Sequence, residues 1–154
     1  MAEGLLRHDA GDRFEVASAG VEPTQVRPLA IRAMNEIGID ISGHRSKSVD
    51  EFEGQNFDYI ITVCDNANQQ CPMFPGNTQR IHWSIADPAA AVGSAEEQLE
   101  VFQRVRDELR ESLGSLRPSN DATRVSLFRE IVGFNCSPHL QLEKIREKEL
   151  SLGG

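Results

Sequence analysis

Phe57 to Trp83 reads FDYIITVCDNANQQCPMFPGNTQRIHW, and the fold turns on how this stretch is read. Phe57 to Val63 is a short, almost unbroken apolar run rich in β-branched and aromatic residues. Such a run marks a strand buried on both faces of a parallel sheet. Cys64 stands at its C-terminal end, where open α/β sheets place their chemistry. Asp65 to Gln70 are polar or small, and Cys71-Pro72 follows. Arg80 to Trp83 reads as the next strand, with Asp87-Pro88 after it. The chemical content of the stretch is therefore two cysteines seven positions apart and an acid before a proline, at strand ends.

Outward from this centre, the elements alternate. Met1 to Arg7 opens directly in a helical pattern with no polar N-cap, and Met1, Leu5 and Leu6 share one face. Phe14 to Ala19 alternates as a strand. Pro28 suits a first helical position, Leu29, Ala30, Ala33, Met34 and Ile37 form an apolar face, and Gly38 is a C-terminal stop. Ile39 to Ser42 is a short extended piece, Gly43 to Ser48 a polar loop and Val49 to Phe52 a brief helix. A helix from Ala95 to about Leu113 sets Leu99, Phe102, Val105 and Leu109 on one face. Helix, strand, helix, strand, strand, helix predicts an α/β three-layer sandwich with a small, mainly parallel sheet.

The bulk numbers narrow the function. The 154 residues suit one sizeable core. A formal net charge of −8 argues against a nucleic-acid surface. No apolar run approaches the roughly 20 residues that span a bilayer, and no secretory leader is legible. A cytoplasmic protein is expected, where a close cysteine pair is catalytic, redox-active or metal-binding rather than a staple. The spacing of three cysteines and four histidines does not fit zinc.

Met1-Ala2-Glu3-Gly4, Ser18-Ala19-Gly20, Gly38 to Ser42, Val63-Cys64, Cys71-Pro72-Met73, His82-Trp83, Asp87-Pro88-Ala89 and Phe102 to Glu108 together resemble the thioredoxin-coupled arsenate reductases. These are built on the low-molecular-weight tyrosine phosphatase fold. The resemblance covers residues 1–118 as one domain and leaves 119–154 as an unassigned C-terminal tail. It implies catalytic roles for Cys64, Cys71 and Asp87, arsenate as substrate, thioredoxin as reductant, a monomer, no cofactor and no metal. In this relay a first cysteine takes arsenate, Cys64 attacks it, arsenite leaves, and Cys71 resolves the mixed disulfide. A helix between Cys64 and Cys71 would hold their Cα atoms about 10 Å apart, while a disulfide needs under about 7 Å, so oxidation must unwind the segment. Asp87 is the general acid in this reading; on its residues alone it reads as an ordinary Asp-Pro turn or cap.

The departures matter as much. In the family a strand and a loop of Cys, five residues and Arg precede the Met-Ala-Glu-Gly piece. No cysteine here is followed six positions later by arginine. An upstream start is expected, and the chain as given is expected to be inactive alone. The strand without a counterpart is an interior one. Losing four or five buried apolar side chains removes on the order of 10 kcal/mol, against about 5–15 kcal/mol for a whole domain. The chain should then be unstable or should repack.

In the tail, Val125 to Phe134 is apolar enough for a strand or amphipathic helix, and Leu140 to Leu150 has a helical pattern. Val125–Phe134 entering the empty sheet position is one arrangement; a fused or frameshifted tail is the preferred one. Cys136 reads as a free thiol. Glu3 and Ser18 match ligand positions of a potassium site in some members, but Lys47 stands where those carry an acid, so an ammonium takes the cation's place. His44-Arg45 reads as surface loop and Trp83 as core. The alternatives are a low-molecular-weight phosphotyrosine phosphatase, which has no use for Cys71, and a non-catalytic dithiol fragment.

Overall fold

The computed structural model describes residues 1–20, 25–63 and 73–116, and the backbone of 127–131. The elements in order are α1 (Ala2–Ala10), β1 (Glu15–Ala19), α2 (Pro28–Asn35), β2 (Tyr59–Thr62), β3 (Gln79–His82), α3 (Ala95–Gly114) and β4 (Leu127–Ile131). Single 3-10 turns cover Val49–Phe52 and Pro88–Ala90.

The strands form one sheet in the order β1-β4-β2-β3, and every neighbouring pair is parallel. All four residues of β2 are buried, as its apolar run requires. Alternation divides them between two faces. Ile61 joins Leu5, Met34, Phe102 and Leu109 in the larger core cluster, which draws on α1, α2 and α3. Ile60 joins Phe57, Val49 and Phe74 on the other side, with the Phe57 and Phe74 rings edge to face at 5.3 Å.

Local chemistry sets the helix limits. Pro28 is the first residue of α2, and Gly38, with φ of +78°, turns the chain just beyond it. Ser94 caps α3: its hydroxyl accepts from the Glu97 amide, while Glu97 accepts from the Ser94 amide. Such a box contributes about 1 kcal/mol. Arg106 then locks α3 to α2, its buried guanidinium donating to the Ala33 carbonyl at 2.8 Å and facing Asp107 and Glu36.

Gly4 sits inside α1, where glycine is costly. The compensation is a close approach: a Cβ there would lie 2.6 Å from Ile41 Cγ2 and 3.3 Å from Met34 Cε. Ile41 is fully buried and cannot move aside. Gly4→Val is expected to lower stability by about 2 kcal/mol through overpacking, read as a shifted midpoint in urea. An unchanged midpoint would contradict this packing.

Ile39 to Ser42 runs as a connection outside the sheet, held by Ile39 and Ile41 in the core. One expectation changes. The interior sheet position is not empty: β4 fills it, between β1 and β2. The sheet thus uses residues beyond the expected boundary at 118. Leu140–Leu150 and Cys136 lie outside the described residues. Among the described residues, no helix is long and apolar enough to cross a membrane.

Candidate active site

Parallel strands bring their C-terminal ends to one edge. Ala19, Ile131 and Thr62 stand in register there, with His82 beside Thr62. Cys64 follows Val63 in sequence, but Cys64 and Cys71 both lie outside the described residues. The acid-bearing segment is fixed to this same edge. The Trp83 amide donates to the Thr62 carbonyl at 2.9 Å, and the Ile85 amide to the Val63 carbonyl at 3.1 Å. Thr62 Oγ1 and His82 Nδ1 lie 2.9 Å apart. Trp83 is half-buried and packs on the larger core cluster.

Asp87 is half-buried, with the extended backbone that Pro88 imposes (φ −71°, ψ 112°). Its Oδ1 accepts from the Ala89 amide at 2.8 Å, capping the 3-10 turn. The capping role left open by the sequence is therefore real, and it also fixes where the carboxyl points.

The strongest electrostatic feature of the described residues joins α1, β1 and the loop after α2. The Glu3 carboxylate is buried. It accepts from the Ser18 hydroxyl, from Lys47 Nζ at 3.2 Å and from Arg7 at 2.9 Å. Burial pushes the Glu3 carboxyl up, but Ser18, Lys47 and Arg7 together outweigh it and hold it below the ordinary carboxylate value. The donor set does not fit a potassium ion, because the Lys47 ammonium already lies on the carboxylate that would bind one. Exchanging sodium for potassium chloride at equal ionic strength is expected to leave Tm unchanged. A rise of several degrees specific to potassium would contradict this assignment.

A cavity of about 110 Å³ opens beside the pair, with Ser18, Gly20, Arg27, His44, Lys47 and Ala89 among its walls. His44 and Arg45 both line it, and His44 is half-buried, which corrects the surface-loop reading for His44. The cause is backbone pairing: the Gly20 amide donates to the Lys47 carbonyl at 2.8 Å and the Val49 amide to the Gly20 carbonyl at 3.0 Å, drawing the loop onto the end of β1. Arg45 remains exposed and makes a two-pronged pair with Glu51. Burial pushes the His44 imidazole below its ordinary value; Glu3 opposes this, and Arg7 and Lys47 reinforce it.

These shifts fix a pH dependence. His44 and Glu3 both bind protons less readily folded than unfolded, so both stabilise the fold above their unfolded pKa and lose that contribution on acidification. Tm is expected to fall first as pH drops below about 6.5 and again below about 4.5, the ordinary values of the two groups. His44→Gln should remove the first step only. A Tm that is flat from pH 7.5 to 5.5 would contradict the His44 assignment.

The comparisons with known proteins agree with this architecture. The family model described as low molecular weight phosphotyrosine protein phosphatase matches residues 1–126. The chain belongs to that family, in its arsenate reductase branch. It is 47% identical over 109 residues to the arsenate reductase of Halalkalibacterium halodurans, covering 71% of this chain and 78% of that one. Against the arsenate reductase of Bacillus subtilis the identity is 45% over the same shares. Solved structures of an arsenate reductase superpose at 30% identity: one in a phosphate binding state with a TM-score of 0.58, covering 73% of this chain and 82% of that one. The other, in an oxidized state, gives 0.60, covering 75% and 83%.

Proposed function

We propose that the protein serves arsenate reduction to arsenite as a cytoplasmic monomer, through a thiol relay with thioredoxin as reductant and without a cofactor. The observation that carries this reading is the join between β2 and the acid. The hydrogen bonds from Trp83 and Ile85 tie the segment that leads to Asp87 to Thr62 and Val63, the residues just before Cys64 in sequence, which supports this reading. The nearby cavity walls carry Arg27, Arg45 and Lys47 against one carboxylate, Glu3, a net positive charge suited to an oxyanion.

In the relay, the Cys64 thiolate attacks the sulfur of a cysteine–arsenate adduct. The S–As bond breaks, its electron pair stays on arsenic, and arsenite leaves. Cys71 then attacks the Cys64 sulfur and releases the first cysteine as a thiol. The thioredoxin dithiol reduces the resulting Cys64–Cys71 disulfide and is itself oxidised. Asp87 Oδ1 is committed to the turn, so protonation of a leaving oxygen falls to Oδ2. None of Cys64, Cys71 and Cys136 is followed six positions later by arginine, so what these residues supply is the dithiol half of the relay.

The test uses the chain oxidised with diamide, then given thioredoxin, thioredoxin reductase and NADPH. One NADPH consumed per chain is expected, and none for Cys71→Ser. No consumption above the blank would overturn the reading. Arsenite production from arsenate by the reduced chain alone is expected to be absent.

The family model's own description favours a second reading, a phosphotyrosine phosphatase. Cys71 separates the two, since phosphate ester hydrolysis requires no second thiol. In a third reading the chain is a non-catalytic dithiol fragment that binds trivalent arsenic. Arsenite capture by a Cys64→Ser, Cys71→Ser protein would exclude it.

A further inference from the structure

We propose that the gap between β1 and β2 is a strand-acceptor site, and that Leu127–Ile131 of this chain is its donor strand, the clasp joining β1 to the rest of the sheet. In the order β1-β4-β2-β3, β4 is, among the described residues, the one neighbour of β1 and its link to β2. The register is continuous across it. Phe128 stands between Val16 and Tyr59, and Ile131 between Ala19 and Thr62. A strand buried as completely as β2 requires a partner on each side, because its amides and carbonyls have no water to turn to. β3 supplies one side and β4 the other.

The donor comes from outside the part of the chain that its family shares, since the family match ends at residue 126. Its sequence is also unusual for the position. An interior parallel strand is normally an apolar run, as Tyr59-Ile60-Ile61-Thr62 nearly is, whereas Leu127-Phe128-Arg129-Glu130-Ile131 carries two charges. The acceptor therefore selects a parallel strand mainly through its two backbone ladders, and a more apolar strand would fit it better. This inference rests on the sheet order alone and stands whatever reaction the protein serves.

Hydrogen exchange read by mass spectrometry on the full chain tests it. Amides of 127–131 are expected to exchange at least about 100-fold slower than unstructured peptide, together with those of 15–19 and 59–62. Arg129→Pro removes one donor from a strand paired on both sides. It should speed exchange in all three segments by more than about tenfold. Should that variant fail to fold, Arg129→Val provides the opposite test: an interior strand gains from a β-branched apolar residue, so Tm should rise by a few degrees. Unprotected 127–131 amides beside protected 15–19 and 59–62 would overturn the proposal, as would an unchanged Tm in Arg129→Val. Protection present only in a dimeric fraction would also overturn it, by making the donor a second copy's strand.

Discussion

Glu3→Ala is expected to cost about 3–5 kcal/mol of stability, the usual penalty for breaking a buried ion pair from one side. Lys47 lies at 14% side-chain exposure and Glu3 at 6%. Removing the carboxylate leaves an ammonium largely out of water, and the Ser18 hydroxyl without its acceptor. Two opposing effects decide the outcome. Truncation removes little apolar area, so lost packing is small, whereas the uncompensated charge is costly. For a chain of this length the loss corresponds to a fall in Tm of roughly 10 °C. The double variant Glu3→Met, Lys47→Met should recover most of it, because apolar replacement of both partners of a buried pair is often neutral or better. A Glu3→Ala protein melting within a degree or two of the parent would show that the pair is solvated and does not hold α1 to the loop.

Ile61→Ala should be of similar size, at about 2–5 kcal/mol. Ile61 is fully buried at the centre of β2, in the cluster shared by all three helices. The cavity left behind is walled by elements that are themselves fixed, α3 by Arg106 and α1 by its close approach at Gly4, so little collapse is available. The urea midpoint should fall with an unchanged slope. A loss below about 1 kcal/mol would place Ile61 in a region that repacks freely.

Some of this was legible in the residues and some was not, for identifiable reasons. β2 announces itself because a strand covered on both faces must be apolar throughout. α2 is bracketed by Pro28 and Gly38, and α3 is marked by the 3.6-residue recurrence of Leu99, Phe102, Val105 and Leu109. β4 gives a weaker sign: Val125 to Phe134 reads as a strand or an amphipathic helix, because Arg129-Glu130 interrupts its apolar run, and its placement depends on β1 and β2, both far away in the chain. Periodicity carries no record of which strand lies beside which. Glu3, Ser18 and Lys47 came together only through likeness to a family, because partners 44 residues apart share no local pattern. His44 and Arg45 look like any polar loop; the bonds that draw them to the cavity belong to the Gly20 backbone. The Asp-Pro turn at Asp87 was legible from the proline, and the capping bond from the Ala89 amide bears out that reading. Cys64 and Cys71 rest on spacing and resemblance.

Disulfide mapping tests the thiol relay most directly. The purified chain is oxidised with diamide, alkylated without reduction, digested and read by mass spectrometry. A peptide joining Cys64 to Cys71, lighter by two hydrogens, is expected, with Cys136 alkylated. Cys64 and Cys71 both alkylated after oxidation, or either of them joined to Cys136, would contradict the relay.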